Sequence, residues 1–160
     1  MNLVLNSRDF DTTAIYFTEP KINTHLANST FNRINYSTAE FNMAGIYIEF
    51  ELYIKYNEKN YNNNVYVYYF DQENEHNKTT INEFVKIEND ILQKWINIQK
   101  CSSKILKREI LKQMSESSIS VWNNNTCITE KPIFHKFIIK ISGIWENDND
   151  NEFGLTFKFI

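Results

Sequence analysis

Tyrosine and lysine recur at alternate positions in three stretches of the chain. Tyr47, Tyr53 and Lys55 lie in the first, Tyr66 and Tyr68 in the second, and Lys136, Lys140 and Lys158 in the third. Aromatic faces stack on nucleobases and cations line a phosphate path, so a surface gathering these side chains has the chemistry of a base-tolerant groove for single strands. Stacking contributes about 1–3 kcal/mol per base, so two or three such contacts outweigh a modest overall repulsion. Glu49 and Glu51 share the parity of Tyr47 and Lys55 and oppose phosphate there. The competing reading is an ordinary amphipathic sheet whose tyrosines rim the core.

Other chemistry is weakly signalled. Asp148-Asn149-Asp150-Asn151-Glu152 alternates oxygen ligands. An EF-hand loop also needs Gly at its sixth position, Glu at its twelfth and flanking helices. Gly154 falls one place late and the flanks read as strands, so this is a solvated turn. His25, His76 and His135 have no metal-type spacing with Cys101 or Cys127. His135 sits beside Phe134 and the lysines. No Gly-rich phosphate loop, Gly-x-Ser-x-Gly elbow or His-Glu-x-x-His occurs, and the reading is of a non-enzymatic protein without cofactor or metal. Trp95 shares helical spacing with Leu92 and Ile91 and is read as a core anchor; the alternative is a partner-facing knob.

The elements that position these residues follow from periodicity. From Gly45 to Tyr56, Ile46, Ile48, Phe50, Leu52, Ile54 and Tyr56 alternate with Tyr47, Glu49, Glu51, Tyr53 and Lys55, which predicts a long strand with one buried face. A polar loop over Asn57 to Asn64 and a second strand over Val65 to Phe70 complete a hairpin. Thr80-Ile81-Asn82-Glu83 has the form of a capping box and predicts a helix from about Ile81 to Lys100. A shorter helix follows over Lys104 to Met114, with Leu106, Ile110, Leu111 and Met114 on one side. Ser118 to Trp122, Phe134 to Trp145 and Phe153 to Ile160 read as strands, with an acidic turn over Glu146 to Glu152. The first 40 residues read as an extended lead-in, with short strands at Leu3 to Leu5 and Ala14 to Phe17.

Length and composition set the frame. The chain has 160 residues and a formal net charge of -3; 42% of residues are hydrophobic and 15% aromatic. That supports one domain with a real core. The acidic balance counts against a duplex-DNA binder, which usually carries a basic surplus. No apolar run approaches the roughly 18 residues of a membrane span, and the start has no signal-peptide pattern, which predicts an intracellular protein with reduced cysteines. Asn28, Asn35, Asn77 and Asn124 head glycosylation sequons that should then stay unmodified. The fold class expected is mainly β (α+β). It is an OB-like antiparallel β-barrel of five to six strands, with a helical insertion over residues 80–115 before the C-terminal hairpin. A β-sandwich is the alternative.

The block Phe137-Ile138-Ile139-Lys140-Ile141-Ser142-Gly143-Ile144-Trp145-Glu146, followed by Phe153-Gly154-Leu155-Thr156-Phe157-Lys158-Phe159-Ile160, resembles the ending of a family of small proteins of nucleocytoplasmic large DNA viruses. The upstream helices, with Ile87-Glu88 to Leu92 and Leu111 to Ser115, share the resemblance, which covers the last 80 or so residues. It extends to the OB-fold single-stranded-DNA-binding proteins of phages and giant viruses. It implies a viral, non-enzymatic protein binding single-stranded DNA or RNA in replication, recombination or repair, in the infected cell or the virion; a homo-oligomer is among the expected partners, and the lack of a long apolar run predicts no membrane partner. It assigns no individual contact residue. Phage relatives of this type end in an acidic tail with a terminal aromatic residue. Here the acidic stretch is internal and the chain ends in Phe159-Ile160, so recruitment through such a tail is not expected. A virion structural or assembly protein with a β-rich interaction domain is the alternative.

Overall fold

The alternating pattern from Ile46 onward becomes the strand around which the sheet is organised. A computed structural model describes residues 3–24, 27–60, 65–100, 103–122 and 130–160. Cys101, Cys127, His25 and the sequon at Asn124 lie outside the described residues. The strands are β1 (Leu5–Asn6), β2 (Ile15–Phe17), β3 (Lys21–Ile22), β4 (Ser29–Ser37), β5 (Asn42–Ala44), β6 (Ile46–Asn60), β7 (Val65–Phe70), β8 (Ile105–Lys107), β9 (Ser118–Trp122), β10 (Ile133–Asn147) and β11 (Glu152–Phe159). The helices are α1 (Glu75–Gln99) and α2 (Glu109–Ser115). The protein is mainly β, and all the described strands join one sheet.

That sheet is mixed, which corrects the expectation of antiparallel pairing alone. β6 pairs antiparallel with β7 and β10, β7 with β9, and β10 with β11. β1 runs parallel to β6, and β8 and β9 run parallel to β11. The pairings β6–β7–β9–β11–β10 therefore lead back to β6. β6 serves three neighbours along its length: β10 opposes Ile46 to Ile54, β7 opposes Ile54 to Asn60, and β1 lies against Ile48 and Glu49. The register shifts between Ile54 and Tyr56, a β-bulge at Lys55. A bulge bends a strand and increases its local twist, which lets one strand turn from one partner to the next.

The residues expected inside are inside up to that bulge. Ile46, Ile48, Phe50, Leu52 and Ile54 are buried. Phe50 is a hub, with ring centroids 4.8 Å from Phe84 of α1, 5.5 Å from Phe137 and 5.8 Å from Phe159. Beyond the bulge the parity inverts: Tyr56 is exposed and Asn57 buried.

α1 begins earlier than the capping box predicts. Asn74 is its N-cap, accepting from the amides of His76 and Asn77. The first turns are polar because they bind β6 rather than the core. Tyr53 N–H donates to Asn77 Oδ1 at 2.7 Å, and Asn77 Nδ2 donates back to the Tyr53 carbonyl at 3.0 Å. Thr80 and Glu83 are not a box: Thr80 donates to the Glu51 carbonyl, and Glu83 accepts from the Ser7 hydroxyl at 2.7 Å. Asn77 is wholly buried, which bars glycosylation of the folded protein at its sequon. Trp95 is the core anchor expected: its ring lies 4.8 Å from Phe17, and its Nε1–H donates to Glu146 at 2.7 Å.

The second helix is shorter than expected. Ile105 to Lys107 pairs with Glu152 to Gly154 as a strand, and only Glu109–Ser115 is helical. The first 40 residues are no mere lead-in. β4 pairs with β10 from Ser29 to Arg33 and also with β2, β3 and β5, and its Ile34 and Tyr36 are core residues.

Candidate nucleic-acid interface

The bulge in β6 divides the outer surface of the sheet into two regions. In the first, formed by the start of β6 with β10 and β11, cross-strand partners share a face. Tyr47 lies opposite Lys140, and Lys140 lies opposite Lys158. Lys140 Nζ sits 5.2 Å above the centre of the Tyr47 ring. Tyr53 lies opposite Phe134, their centroids 5.0 Å apart. Five of the sequence candidates (Tyr47, Tyr53, Lys136, Lys140 and Lys158) are thus brought to one face. Glu49 and Glu51 lie between them, as the parity requires. Lys136 Nζ is 3.1 Å from Glu49, and His76 Nε2 is 3.9 Å from Glu51. Lys55, at the bulge, is 3.5 Å from Asp71. Tyr47 itself is only 7% exposed, so its ring is covered rather than free to stack.

Tyr66 and Tyr68 are a correction. Both are buried and face the core, Tyr68 being 1% exposed. The Tyr68 ring packs edge-on against Phe137 at 4.8 Å, and Lys59 caps Tyr66 at 5.6 Å. The bulge is the reason. It sets Tyr68 opposite Asn57 and Tyr66 opposite Lys59, the inward residues of β6 after the parity change. His135 also lies on the inner side, 5.0 Å from Tyr68 and 4.7 Å from Phe137, and burial holds its pKa below the ordinary histidine value.

The second outer region, on β6, β7 and β9, carries the aromatics that the alternation misassigns. Tyr56 is 43% exposed and stacks on Tyr69 at 4.6 Å with the planes 22° apart. Tyr56 opposes Tyr69, and Tyr69 opposes Ser118. Glu58, Val67 and Ser120 form the next row, and Trp122 stands opposite Val65 and is 61% exposed. The Tyr69 hydroxyl donates to Glu58 at 2.6 Å, and this bond, with some burial and the Glu58 charge, pushes its pKa up to about 12. Tyr56, Tyr69 and Trp122 were not among the candidates. The available signal was length, since the alternation from Gly45 to Tyr56 already exceeds the roughly 3–10 residues of an ordinary strand, and an over-long strand needs a bulge.

The Asp148 to Glu152 segment is a turn held by its own hydrogen bonds, with Asn147 Oδ1 accepting from the amides of Asn149 and Asp150. Lys104 bridges Glu146 at 2.6 Å and Asp148 at 2.8 Å. Among the described residues, no three His, Cys, Asp or Glu side chains group as a metal site. No helix among them is long and apolar enough to cross a membrane.

Fold and surface together define a mainly β protein with a mixed sheet and two different outer regions, one carrying Tyr56, Tyr69 and Trp122 and the other mixing Lys136, Lys140 and Lys158 with Glu49, Glu51, Tyr53 and Phe134. Compared with protein-family models, curated proteins and solved structures, the chain has no match.

Proposed function

We propose that the protein binds single-stranded nucleic acid, with no enzymatic step, and that its five-strand circuit β6–β7–β9–β11–β10 is a small OB-like barrel. The circuit of pairings supports a barrel over a sandwich, and the single residue pair joining β9 to β11 fits the partly open form of that fold. In this fold the second and third strands present the ligand face. Counted from β6 these are β7 and β9, which present Tyr69 and Trp122, with Tyr56 beside them on β6.

The observation that carries the reading is this set of outer aromatics: Tyr56 stacked on the half-buried Tyr69, and the exposed Trp122 two rows further along β9. The Tyr56–Tyr69 stack and the separate Trp122 ring offer π faces to bases of one strand, and stacking is tolerant of sequence. Glu58 faces these aromatics but is engaged by the Tyr69 hydroxyl. The setting implied by the C-terminal resemblance is the DNA replication, recombination or repair of a large DNA virus.

The test is fluorescence anisotropy with a labelled oligo-dT at two salt concentrations. Binding is expected to weaken with salt. Trp122→Ala and Tyr56→Ala are each expected to weaken it roughly 5- to 150-fold, the equivalent of one stacked base. No binding at low salt would overturn the reading and leave the outer aromatics to a protein partner, as in a virion structural or assembly role.

A further inference from the structure

We infer that the groove where β4, β6 and β10 meet is a phosphodiester clamp, in which Arg33, Lys140 and Lys158 hold the sugar–phosphate backbone without reading bases. The groove is a cavity of about 370 Å³ lined by Phe31, Arg33, Ala44, Gly45, Tyr47, Lys140 and Ser142. Among the described residues, the charged ones lining it are the cations Arg33 and Lys140. Among the described residues, no ion pair engages Arg33, Lys140 or Lys158, whereas Lys55, Lys78, Lys104, Lys107 and Lys136 each have a carboxylate partner. Lys158 is not in the lining but stands beside Lys140 on β11, and in a chain of net charge -3 these three cations on neighbouring strands are a local reversal of sign.

The arrangement is unfavourable without a ligand. Lys140 and Lys158 are direct cross-strand partners, and like charges in that position repel. Tyr47 holds one of them by a cation–π contact, so it is a positioning residue, which accounts for its covered ring. Arg33 enters from β4, opposite Gly143. An anion in the groove relieves the repulsion, and the planar guanidinium fits phosphate oxygens. β6 joins the groove to the outer aromatics: Tyr47 and Tyr56 are nine residues apart, about 30 Å at strand rise. That is within reach of one strand of the roughly 4–16 nucleotides an OB fold covers. The ligand's identity as a nucleic-acid backbone rests on the proposed function.

The experiment uses two labelled probes of equal length, oligo-dT and a base-free deoxyribose-phosphate oligomer, with the full chain. The wild type is expected to bind the base-free oligomer at low salt. The triple variant Arg33→Gln, Lys140→Gln, Lys158→Gln is expected to lose that binding at least tenfold. For oligo-dT its log–log salt slope should fall by about 2, at roughly 0.7 for each phosphate no longer neutralised. A control removing the exposed charges of Lys78, Lys86 and Lys112, checked like the triple variant for unchanged thermal unfolding, should stay within twofold of wild type. Failure of the wild type to bind the base-free oligomer, or equal binding by the triple variant, overturns the clamp. Equal affinity for the two probes overturns base stacking while leaving the clamp standing.

Discussion

Glu88 is the residue whose chemistry is most constrained by its place. It is wholly buried on α1, yet its two carboxylate oxygens accept from the amides of Ile110 and Leu111, each at 2.9 Å. α2 has no capping side chain of its own at Arg108, so a carboxylate from another helix satisfies its first amides. Burial raises the Glu88 pKa above its ordinary 4.5, against the opposing pull of the two amides and Arg108. The folded protein therefore keeps this proton to higher pH than the unfolded chain. The contribution is present in full below the unfolded value and is lost as pH rises through the folded one. Glu88→Gln is expected to destabilise by about 1–3 kcal/mol, because its amide NH₂ turns a donor toward one of the two N–H groups. Urea titrations at pH 4 and pH 7 are expected to show the larger gap between wild type and variant at pH 4. A gap that widens toward pH 7 would mean that the amide bonds outweigh burial.

At the scale of elements, β10 shows how tightly strand and neighbour are matched. Gly143 follows a register irregularity after Ile141 and lies against β4. A Cβ added there would sit 2.3 Å from the Asn32 carbonyl oxygen and 2.5 Å from the Phe31 ring. The ring can turn aside but the backbone oxygen cannot, so Gly143→Ala must separate β4 from β10. The expected cost is about 1–3 kcal/mol, as for other overpacked sites, read from the urea midpoint. Wild-type stability in this variant would show that β4 is held elsewhere. β4 and β10 also frame the cationic groove, so the variant is expected to weaken binding of the base-free oligomer as well.

Across the whole molecule, the N-terminal strands belong to the structure that bears the site. Ile15, Ile34 and Tyr36 are core residues contributed before residue 40. At about 1.5–3 kcal/mol for each large apolar side chain buried, their sum is comparable with a typical net stability of about 5–15 kcal/mol. A fragment starting at residue 41 is expected to lose cooperative thermal unfolding, measured by circular dichroism. A cooperative transition in that fragment would mean that the strand circuit is self-sufficient.

The alternation in β6 before the bulge, the strands β7, β9, β10 and β11, and the apolar stripe of α1 were all legible in the sequence. Each is a local periodicity, imposed by a backbone that repeats every 2 or 3.6 residues. Tyr47, Lys140 and Lys158 share a face for the same reason. The sequence could not show that Lys55 is a bulge, because a bulge answers to the partners on either side of a strand, and β7 and β10 are remote from each other in the chain. Extending the alternation across Lys55 placed Tyr66 and Tyr68 outside and overlooked Tyr56, Tyr69 and Trp122. The polar start of α1 was missed because Asn77 is satisfied by β6 rather than by its own helix. Arg33 joins Lys140 only because β4 pairs with β10, and such long-range pairings are decided by the packing of the whole chain.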